Sequence, residues 1–233
     1  MTSLSLREVV PMAIAGGDFC ELERLASARL CLRPGEALFA AGDRFCSLYA
    51  VHSGSFKTTL VDPEGRQQVT GFFMGGDLLG LDGMGTSRYH ATATALECSQ
   101  VCALPHSLID ELTRRMPGLR RYLYAALSRE IVREQSLMLL LGSMRAEARV
   151  AAFLLGLSTR FAQRGYSPSA FRLCMTREET GSYLGLTVET VSRLFARLQR
   201  DGTIELGRRR VRLLDARRLE AMTASAPGRF SRS

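Results

Sequence analysis

The pattern of hydrophobic and polar positions in the first half of the chain is that of short strands. Residues 29–105 hold β-rich runs separated by turn signals such as RPGE at 33–36 and DPEG at 62–65. Many short strands with frequent glycine turns are typical of an antiparallel barrel or jelly roll. We therefore predict an α+β protein that begins with an antiparallel β-roll. The predicted strands cover residues 48–52, 56–61, 67–73, 90–95 and 100–104.

From His106 onward the apolar residues recur at helical spacing, and a long helix is predicted over residues 119–141. One stripe on this helix repeats at alternating intervals of three and four residues, as expected for a helix that packs along another helix. Such a stripe is more often a buried core face than a dimer seam, and the pattern alone leaves both open. The stripe consists of Tyr124, Leu127, Ile131, Glu134, Met138 and Leu141.

Residues 176–200 have the pattern of two short helices joined by a tight turn. Thr176 and Glu179 are spaced as a capping box, and Gly185 stands where the first helix must end. Thr187 can cap the second helix. This layout is that of a helix-turn-helix, whose second helix enters the major groove of DNA. Because such proteins commonly dimerise on palindromic sites, the layout gives weight to a dimer seam on the long helix.

The predicted domains follow these changes of pattern. They are a flexible N-terminus at 1–17, a β-roll at 18–115 that opens with a helix at 18–28, a dimerisation helix at 116–141, a winged helix-turn-helix at 142–221 and a disordered tail at 222–233. The winged domain is expected to begin with a hinge at 142–144 and to contain a helix at 147–161 and a strand at 171–175. Alternating runs at 203–206 and 210–214 predict a β-hairpin wing that carries arginines to DNA phosphates.

The positive charge is concentrated in the C-terminal part of the chain. The formal net charge is +8, and residues 142–233 alone carry 17 arginines against 8 acidic side chains. Arginine-rich surface attracts the phosphate backbone of nucleic acids, so double-stranded DNA is favoured as a partner. A solvated basic face is the alternative that charge alone leaves open.

Other classes of protein are disfavoured. No apolar run approaches the roughly 18 residues that span a bilayer, so a soluble, cytoplasmic protein without a membrane partner is expected. The six cysteines include no CxxC pair, and His52, His90 and His106 lack the spacing of a metal triad. No G-x-S-x-G elbow is present, and enzyme activity is not expected.

This order of parts resembles the Crp/Fnr family of bacterial transcription regulators, whose β-roll is of the cyclic-nucleotide-binding type. The similarity covers roughly residues 18–215 and is close to the Fnr branch in SLYAVHSG (47–54), VTGFFMGGDLLG (69–80), RFAQRGYSP (160–168) and LGLTVETVSRL (184–194). The resemblance implies a homodimeric, sequence-specific DNA-binding regulator, an activator in low-oxygen, nitrogen-oxide or redox metabolism. It also implies contact with RNA polymerase, here expected from the loop at 62–66.

The resemblance also assigns roles to individual residues. Glu189 is expected to accept a hydrogen bond from a cytosine amine, Arg193 to bind guanine and Ser192 to contact a thymine. Val188 replaces a base-contacting arginine of the cAMP-receptor branch, which favours the palindrome TTGAT-N4-ATCAA over TGTGA half-sites. An ion pair between Glu189 and Arg193 within the helix is the alternative. The expected phosphate contacts are Thr176, Arg177, Thr187, Arg197 and Arg209.

The sensing residues of the family are not matched. Where cAMP-binding members carry an Arg-Ser pair, residues 80–92 have the sequence GLDGMGTSRYHAT, with Tyr89-His90 at that position. Oxygen-sensing members hold a [4Fe–4S] cluster on three N-terminal cysteines and one in the β-roll. Residues 1–19 contain no cysteine, and only Cys102 matches a ligand. Neither cAMP nor an iron–sulfur cluster is expected, and Cys102 is predicted to be a core thiol.

Three forms of regulation stay open. The preferred one is a cofactor-free, FixK-like regulator that is controlled by its own synthesis or turnover. The second is a sensor of the same fold whose DNA binding is switched by haem. The third is a response to oxidation of a thiol such as Cys174, which lies two residues before the helix pair.

Overall fold

The computed structural model describes residues 28–224 and divides after Ile131 into two compact units. The predicted flexible segment at 1–17 lies outside the described residues. So does all of the predicted helix at 18–28 except Ala28, which begins the first strand instead. The division between the units falls inside the long helix and not at the predicted boundary after residue 141.

The first unit is a β-roll of two four-stranded antiparallel sheets, with strand orders β1-β8-β3-β6 and β2-β7-β4-β5. The five predicted strands correspond to β3, β4, β5, β7 and β8. Sequence alone missed β1, β2 and β6, which have five, three and two residues. The strands are Ala28–Leu32, Ala37–Phe39, Ser47–Ser53, Ser55–Val61, Gln67–Met74, Leu78–Leu79, Thr92–Ala95 and Ser99–Pro105.

One hydrophobic core fills the roll and extends to the helices that follow it. Phe56, Val51 and Val101 are fully buried between the sheets. Helix α1 (His106–Arg115) and the first half of α2 (Pro117–Ser143) add their own buried residues to the same cluster. These two helices are therefore part of the roll's packing and not a separate layer.

The second unit consists of the end of α2, four further helices and a small antiparallel sheet with strand order β10-β11-β9. Its helices are α3 (Ala146–Ala162), α4 (Arg177–Leu184), α5 (Val188–Arg200) and α6 (Ala216–Ala224). Its strands are β9 (Ala170–Arg172), β10 (Ile204–Leu206) and β11 (Arg210–Leu213). The predicted strand at 171–175 is shorter than expected, while the predicted hairpin and helix pair are present.

Two boundary predictions in this unit are wrong. Helix α2 continues through Gly142 and Ser143, so the break comes at residues 144–145 and overlaps the predicted hinge at 142–144 only at Met144. A single glycine costs a helix only about 1 kcal/mol, which 27 residues of helix can absorb. The predicted disorder of the tail fails at residues 222–224, because α6 runs to Ala224 and buries Leu219 completely. Residues 225–233 lie outside the described range.

Candidate nucleic-acid interface

Helix α4 begins with the predicted capping box. The Thr176 hydroxyl accepts a hydrogen bond from the Glu179 main-chain N–H at 3.1 Å, and the Glu179 carboxylate accepts from the Thr176 N–H at 2.7 Å. The helix ends at Gly185, whose φ of 62° is left-handed and strains any residue with a Cβ. Both signals identified in the sequence are therefore confirmed.

The turn between α4 and α5 depends on a residue that the sequence analysis missed. The Leu186 N–H donates to the Gly181 carbonyl at 2.9 Å, which brings the chain entering α5 against the middle of α4. A Cβ at Gly181 would lie 2.6 Å from the Leu186 carbonyl oxygen. The available signal was a glycine inside a short helical pattern, which often marks close backbone approach.

Two Gly→Ala substitutions are expected to have opposite effects on stability. Gly181→Ala should lower the free energy of unfolding by about 1–3 kcal/mol, because its methyl group overlaps a main-chain carbonyl. Gly156→Ala should raise it by about 0.5–1 kcal/mol, because that exposed position in α3 has open space and alanine is the better helix former. Urea unfolding followed by circular dichroism measures both. A Gly181→Ala protein as stable as Gly156→Ala would show that the close approach does not persist in solution.

Helix α5 is amphipathic, with an apolar side that packs into the unit and a polar side that faces solvent. Thr187 caps it, since its hydroxyl accepts from the Thr190 N–H at 3.2 Å. The buried side is formed by Val191, Leu194, Phe195 and Leu198. Glu189, Ser192 and Arg193 are all exposed on the opposite side. The structure thus brings the three predicted base-contacting residues together on one accessible surface, which we call the recognition surface.

Two of the three side chains of the recognition surface make no internal polar contact within the described residues. Within residues 28–224, neither Ser192 nor Arg193 has a hydrogen-bond or ion-pair partner, and the alternative ion pair between Glu189 and Arg193 is not formed. The pKa of Glu189 is lowered by hydrogen bonds from its own main-chain N–H and with the Thr187 side chain. Glu189 is therefore an ionised hydrogen-bond acceptor at neutral pH, beside an unpaired guanidinium donor.

The residues predicted to contact phosphates differ in their surroundings. The Arg177 guanidinium lies 3.7 Å above the centre of the Phe195 ring, and burial lowers its pKa. A stacked guanidinium keeps its N–H edges available to an anion. Arg197 instead forms an ion pair with Glu147 and lies 3.8 Å from the Asp201 carboxylate, so a phosphate contact there competes with these partners.

The predicted wing is the β10–β11 hairpin, and its tip is basic. The Gly207 N–H donates to the Arg210 carbonyl at 2.8 Å, which closes a short loop around two arginines. One of these is Arg209, whose carbonyl accepts from the Leu173 N–H at 3.0 Å while the residue is exposed. Strand β9 completes the sheet, with Arg172 opposite Arg210. The wing therefore adds positive charge to the unit that carries the recognition surface.

An exposed apolar face runs along α2, but it is rotated from the predicted stripe. Tyr124, Ile131 and Met138 are 65%, 54% and 66% exposed, as a seam between protomers requires. Val132 and Leu139, which the sequence analysis did not include, are equally exposed at 57% and 56%. We call these five residues the seam face.

The other members of the predicted stripe lie at the edge of the seam face. Leu127 and Leu141 are half-buried, and Glu134 is exposed. Leu141 packs within its own protomer, since its Cδ2 lies 3.1 Å from the position that a Cβ on Gly185 would take. The alternating spacing pointed to a helix that does carry an exposed apolar face, but it could not show which side of the helix its own protomer covers.

Tyr89, which the sequence comparison aligned with the Arg-Ser pair of cAMP-binding proteins, lies among packed aromatic side chains. Tyr89 is buried, its ring stacks 3.9 Å from that of Phe39, and its hydroxyl donates to the Ser47 carbonyl at 2.7 Å. The adjacent Arg88 donates to the Gly42 carbonyl at 2.6 Å. The Tyr89 hydroxyl and one N–H group of Arg88 are therefore engaged by main-chain carbonyls of the roll.

The described cysteines do not converge on a cluster site. Cys102 is buried in the β-roll core, whereas Cys98, in the turn before β8, is exposed. Among residues 28–224 no group of three or more His, Cys, Asp or Glu side chains could hold a metal ion. In the same range, no helix is both long enough and apolar enough to cross a membrane.

Comparisons with known proteins cover both units. A model of the Crp-like helix-turn-helix domain matches residues 148–222, and one of the cyclic nucleotide-binding domain matches residues 29–116. The chain is 44% identical over 217 residues to the transcriptional activator protein FnrA of Stutzerimonas stutzeri, covering 93% of this chain and 89% of that protein. It is 44% identical over 213 residues to the transcriptional activator protein anr of Pseudomonas aeruginosa, covering 91% and 87%. The solved structure of FixK2 from Bradyrhizobium japonicum aligns with a TM-score of 0.77 at 28% identity, covering 85% of this chain and 98% of that one.

Proposed function

We propose, since the chain belongs to the Crp/Fnr family of transcription regulators, that it is a homodimeric activator that binds the palindrome TTGAT-N4-ATCAA in the cytoplasm. The family members it resembles are DNA-binding regulators and not enzymes. The observation that carries the proposal is the recognition surface, on which Glu189, Ser192 and Arg193 stand exposed together. Low-oxygen, nitrogen-oxide or redox metabolism is the proposed setting.

Each side chain of the recognition surface suits one base of the half-site. A guanidinium can donate two parallel hydrogen bonds to guanine O6 and N7, and a carboxylate accepts from the cytosine amine. Arg193 and Glu189 supply these groups from adjacent turns of α5. Thr176, Arg177, Thr187 and Arg209, with Arg197 in competition with its ion pairs, are proposed to contact the phosphates and fix the helix in the groove.

The two recognition helices of a dimer must lie about one turn of DNA apart, roughly 34 Å, to occupy both half-sites. Pairing of two α2 helices through the seam face would bury the five exposed apolar side chains and relate the two helix-turn-helix units by a two-fold axis. An exposed apolar strip of this kind is unfavourable in water unless a partner covers it. The seam face therefore supports the homodimer.

The half-site is tested with the unmodified protein in a gel-shift titration. We expect the TTGAT palindrome to bind at least tenfold more tightly than a TGTGA palindrome with the same spacer, because one lost base contact costs about 1–3 kcal/mol. The affinity should also fall steeply with salt as counterions are released. Equal affinity for both palindromes would contradict the assigned half-site.

We further propose that the protein works without cAMP, iron–sulfur cluster or bound metal. The packing of Tyr89 and the burial of Cys102 away from Cys98 support this. Protein purified without oxygen should show no visible absorption. A Soret band would favour the haem-switched alternative, and a broad band near 400 nm a cluster.

The loop at 62–66 is proposed as the contact with RNA polymerase. Arg66 donates from its main-chain N–H and its Nε to the Asp62 carboxylate, at 2.8 and 2.6 Å. These bonds lower the pKa of Asp62 and keep it ionised. The loop thus presents charged groups in a fixed conformation at the end of the β4–β5 hairpin.

A further inference from the structure

Arg149 joins the ends of two helices in the second unit. Its guanidinium donates from Nη2 to the Leu141 carbonyl at 2.7 Å, from Nη1 to the Leu184 carbonyl at 3.0 Å and from Nε to the Met144 carbonyl at 2.9 Å. Leu141 lies in the last turn of α2, and Leu184 is the last residue of α4. One planar side chain is therefore hydrogen-bonded to the long helix, to the segment after it and to the first helix of the helix-turn-helix.

The chemistry of this position requires a guanidinium. The last four carbonyls of a helix have no partner within the helix, and its C-terminal end carries partial negative charge. Two such ends meet at Arg149, so a cation there is stabilised by both. Arginine presents its N–H donors in a rigid planar fork, whereas lysine offers one ammonium on a flexible stem. A lysine keeps the charge, but its three donors share one nitrogen, so they cannot occupy the positions of the three guanidinium nitrogens that bind these carbonyls.

Gly185 leaves room for the Arg149 guanidinium at the end of α4. A Cβ on Gly185 would lie 3.2 Å from the Arg149 Nη1 and 3.1 Å from the Leu141 Cδ2. Its absence therefore gives the guanidinium access to the carbonyl of the preceding residue, Leu184. The glycine thus has a second role besides the left-handed turn.

We propose that Arg149 is a positioning residue that fixes the direction of the recognition helix relative to the end of α2. Helix α5 follows α4 through the tight turn at residues 185–187, which packs against Gly181, so holding the end of α4 also holds α5. In the dimer, this junction then sets the distance between the two recognition helices and therefore the preferred spacer length. The proposal rests on the proposed function, because spacer length has meaning only for a dimer on a palindrome.

The test compares full-length Arg149→Lys with Arg145→Lys, the same change at the exposed N-cap residue of α3. Each protein is titrated with palindromes carrying three-, four- and five-base-pair spacers and with DNA that holds a single TTGAT. For Arg149→Lys we expect about tenfold weaker binding to the four-base-pair spacer and a reduced preference over the other two spacers. Binding to the single half-site should stay within about twofold, because the recognition surface itself is intact. Arg145→Lys should behave as wild type.

Hydrogen exchange supplies a measurement that does not depend on the DNA target. In Arg149→Lys, the amides of Gly185 and Leu186 and those in the last turn of α2 should exchange faster than in wild type or Arg145→Lys. An unchanged spacer preference, an equal loss on full and half-sites, or unchanged exchange would each overturn the proposal. If wild type binds none of these DNAs while the exchange difference is present, the assigned palindrome fails and the positioning contact stands.

Discussion

Arg193→Ala is expected to abolish measurable discrimination at the guanine of TTGAT. Arg193 is exposed on α5 and has no partner within residues 28–224, so its removal leaves no internal carboxylate unpaired. The loss is therefore that of the base contact itself, about 1–3 kcal/mol in each half-site, or roughly 5- to 150-fold in affinity per half-site. On the palindrome both half-sites lose the contact. The affinity should therefore fall by the product of the two fold-losses, one from each half-site.

A protein–DNA double-mutant cycle separates this contact from general charge. Wild type and Arg193→Ala are each titrated with TTGAT and with TTAAT half-sites in both arms of the palindrome. Wild type should prefer guanine, and the variant should bind both sequences with similar affinity. Arg200→Ala, an exposed arginine near the end of the same helix, removes the same charge and should keep the preference for guanine. A guanine preference that survives in Arg193→Ala would refute the assignment of this base contact.

Ile131→Glu is expected to convert the protein to monomers. In the proposed dimer this residue lies on the seam face near its own copy, so the substitution buries two carboxylates against each other. Uncompensated buried charge is strongly destabilising, about 3–5 kcal/mol where one partner of a pair is missing. Since Ile131 is 54% exposed in the protomer, the fold should remain intact. Sedimentation equilibrium measures the mass, and circular dichroism checks the fold.

Two further variants locate the seam on the helix. Val132→Glu should also give monomers, because Val132 belongs to the seam face although the spacing pattern had not included it. Glu134→Gln should leave the dimer unchanged, because Glu134 lies at the edge of that face. If Val132→Glu stays dimeric while Glu134→Gln alters association, the seam follows the predicted stripe and not the seam face. If Ile131→Glu and Val132→Glu both remain dimeric, the interface lies on another surface.

Local signals in the sequence determined the helix pair. The capping box at Thr176, the left-handed Gly185 and the Thr187 cap each depend on residues at most three positions apart, so the chain's own chemistry specifies them. The polar side of α5 followed from helical periodicity in the same way. The β-roll was predictable as a class from its turns and most of its strands, although β1, β2 and β6 were not recognised.

What the sequence determined by itself was therefore the order of the elements, the recognition surface and the family resemblance, because these depend on local spacing. Tertiary structure decided which polar groups are already engaged, since Arg197 meets Glu147 across 50 residues of chain and Arg149 meets Leu184 across 35. It also decided which side of α2 is open, because only the fold shows which apolar residues the protomer covers. Contacts between residues far apart in the chain produce no periodic pattern in the amino-acid sequence. Contacts of this kind hold the recognition helix in place.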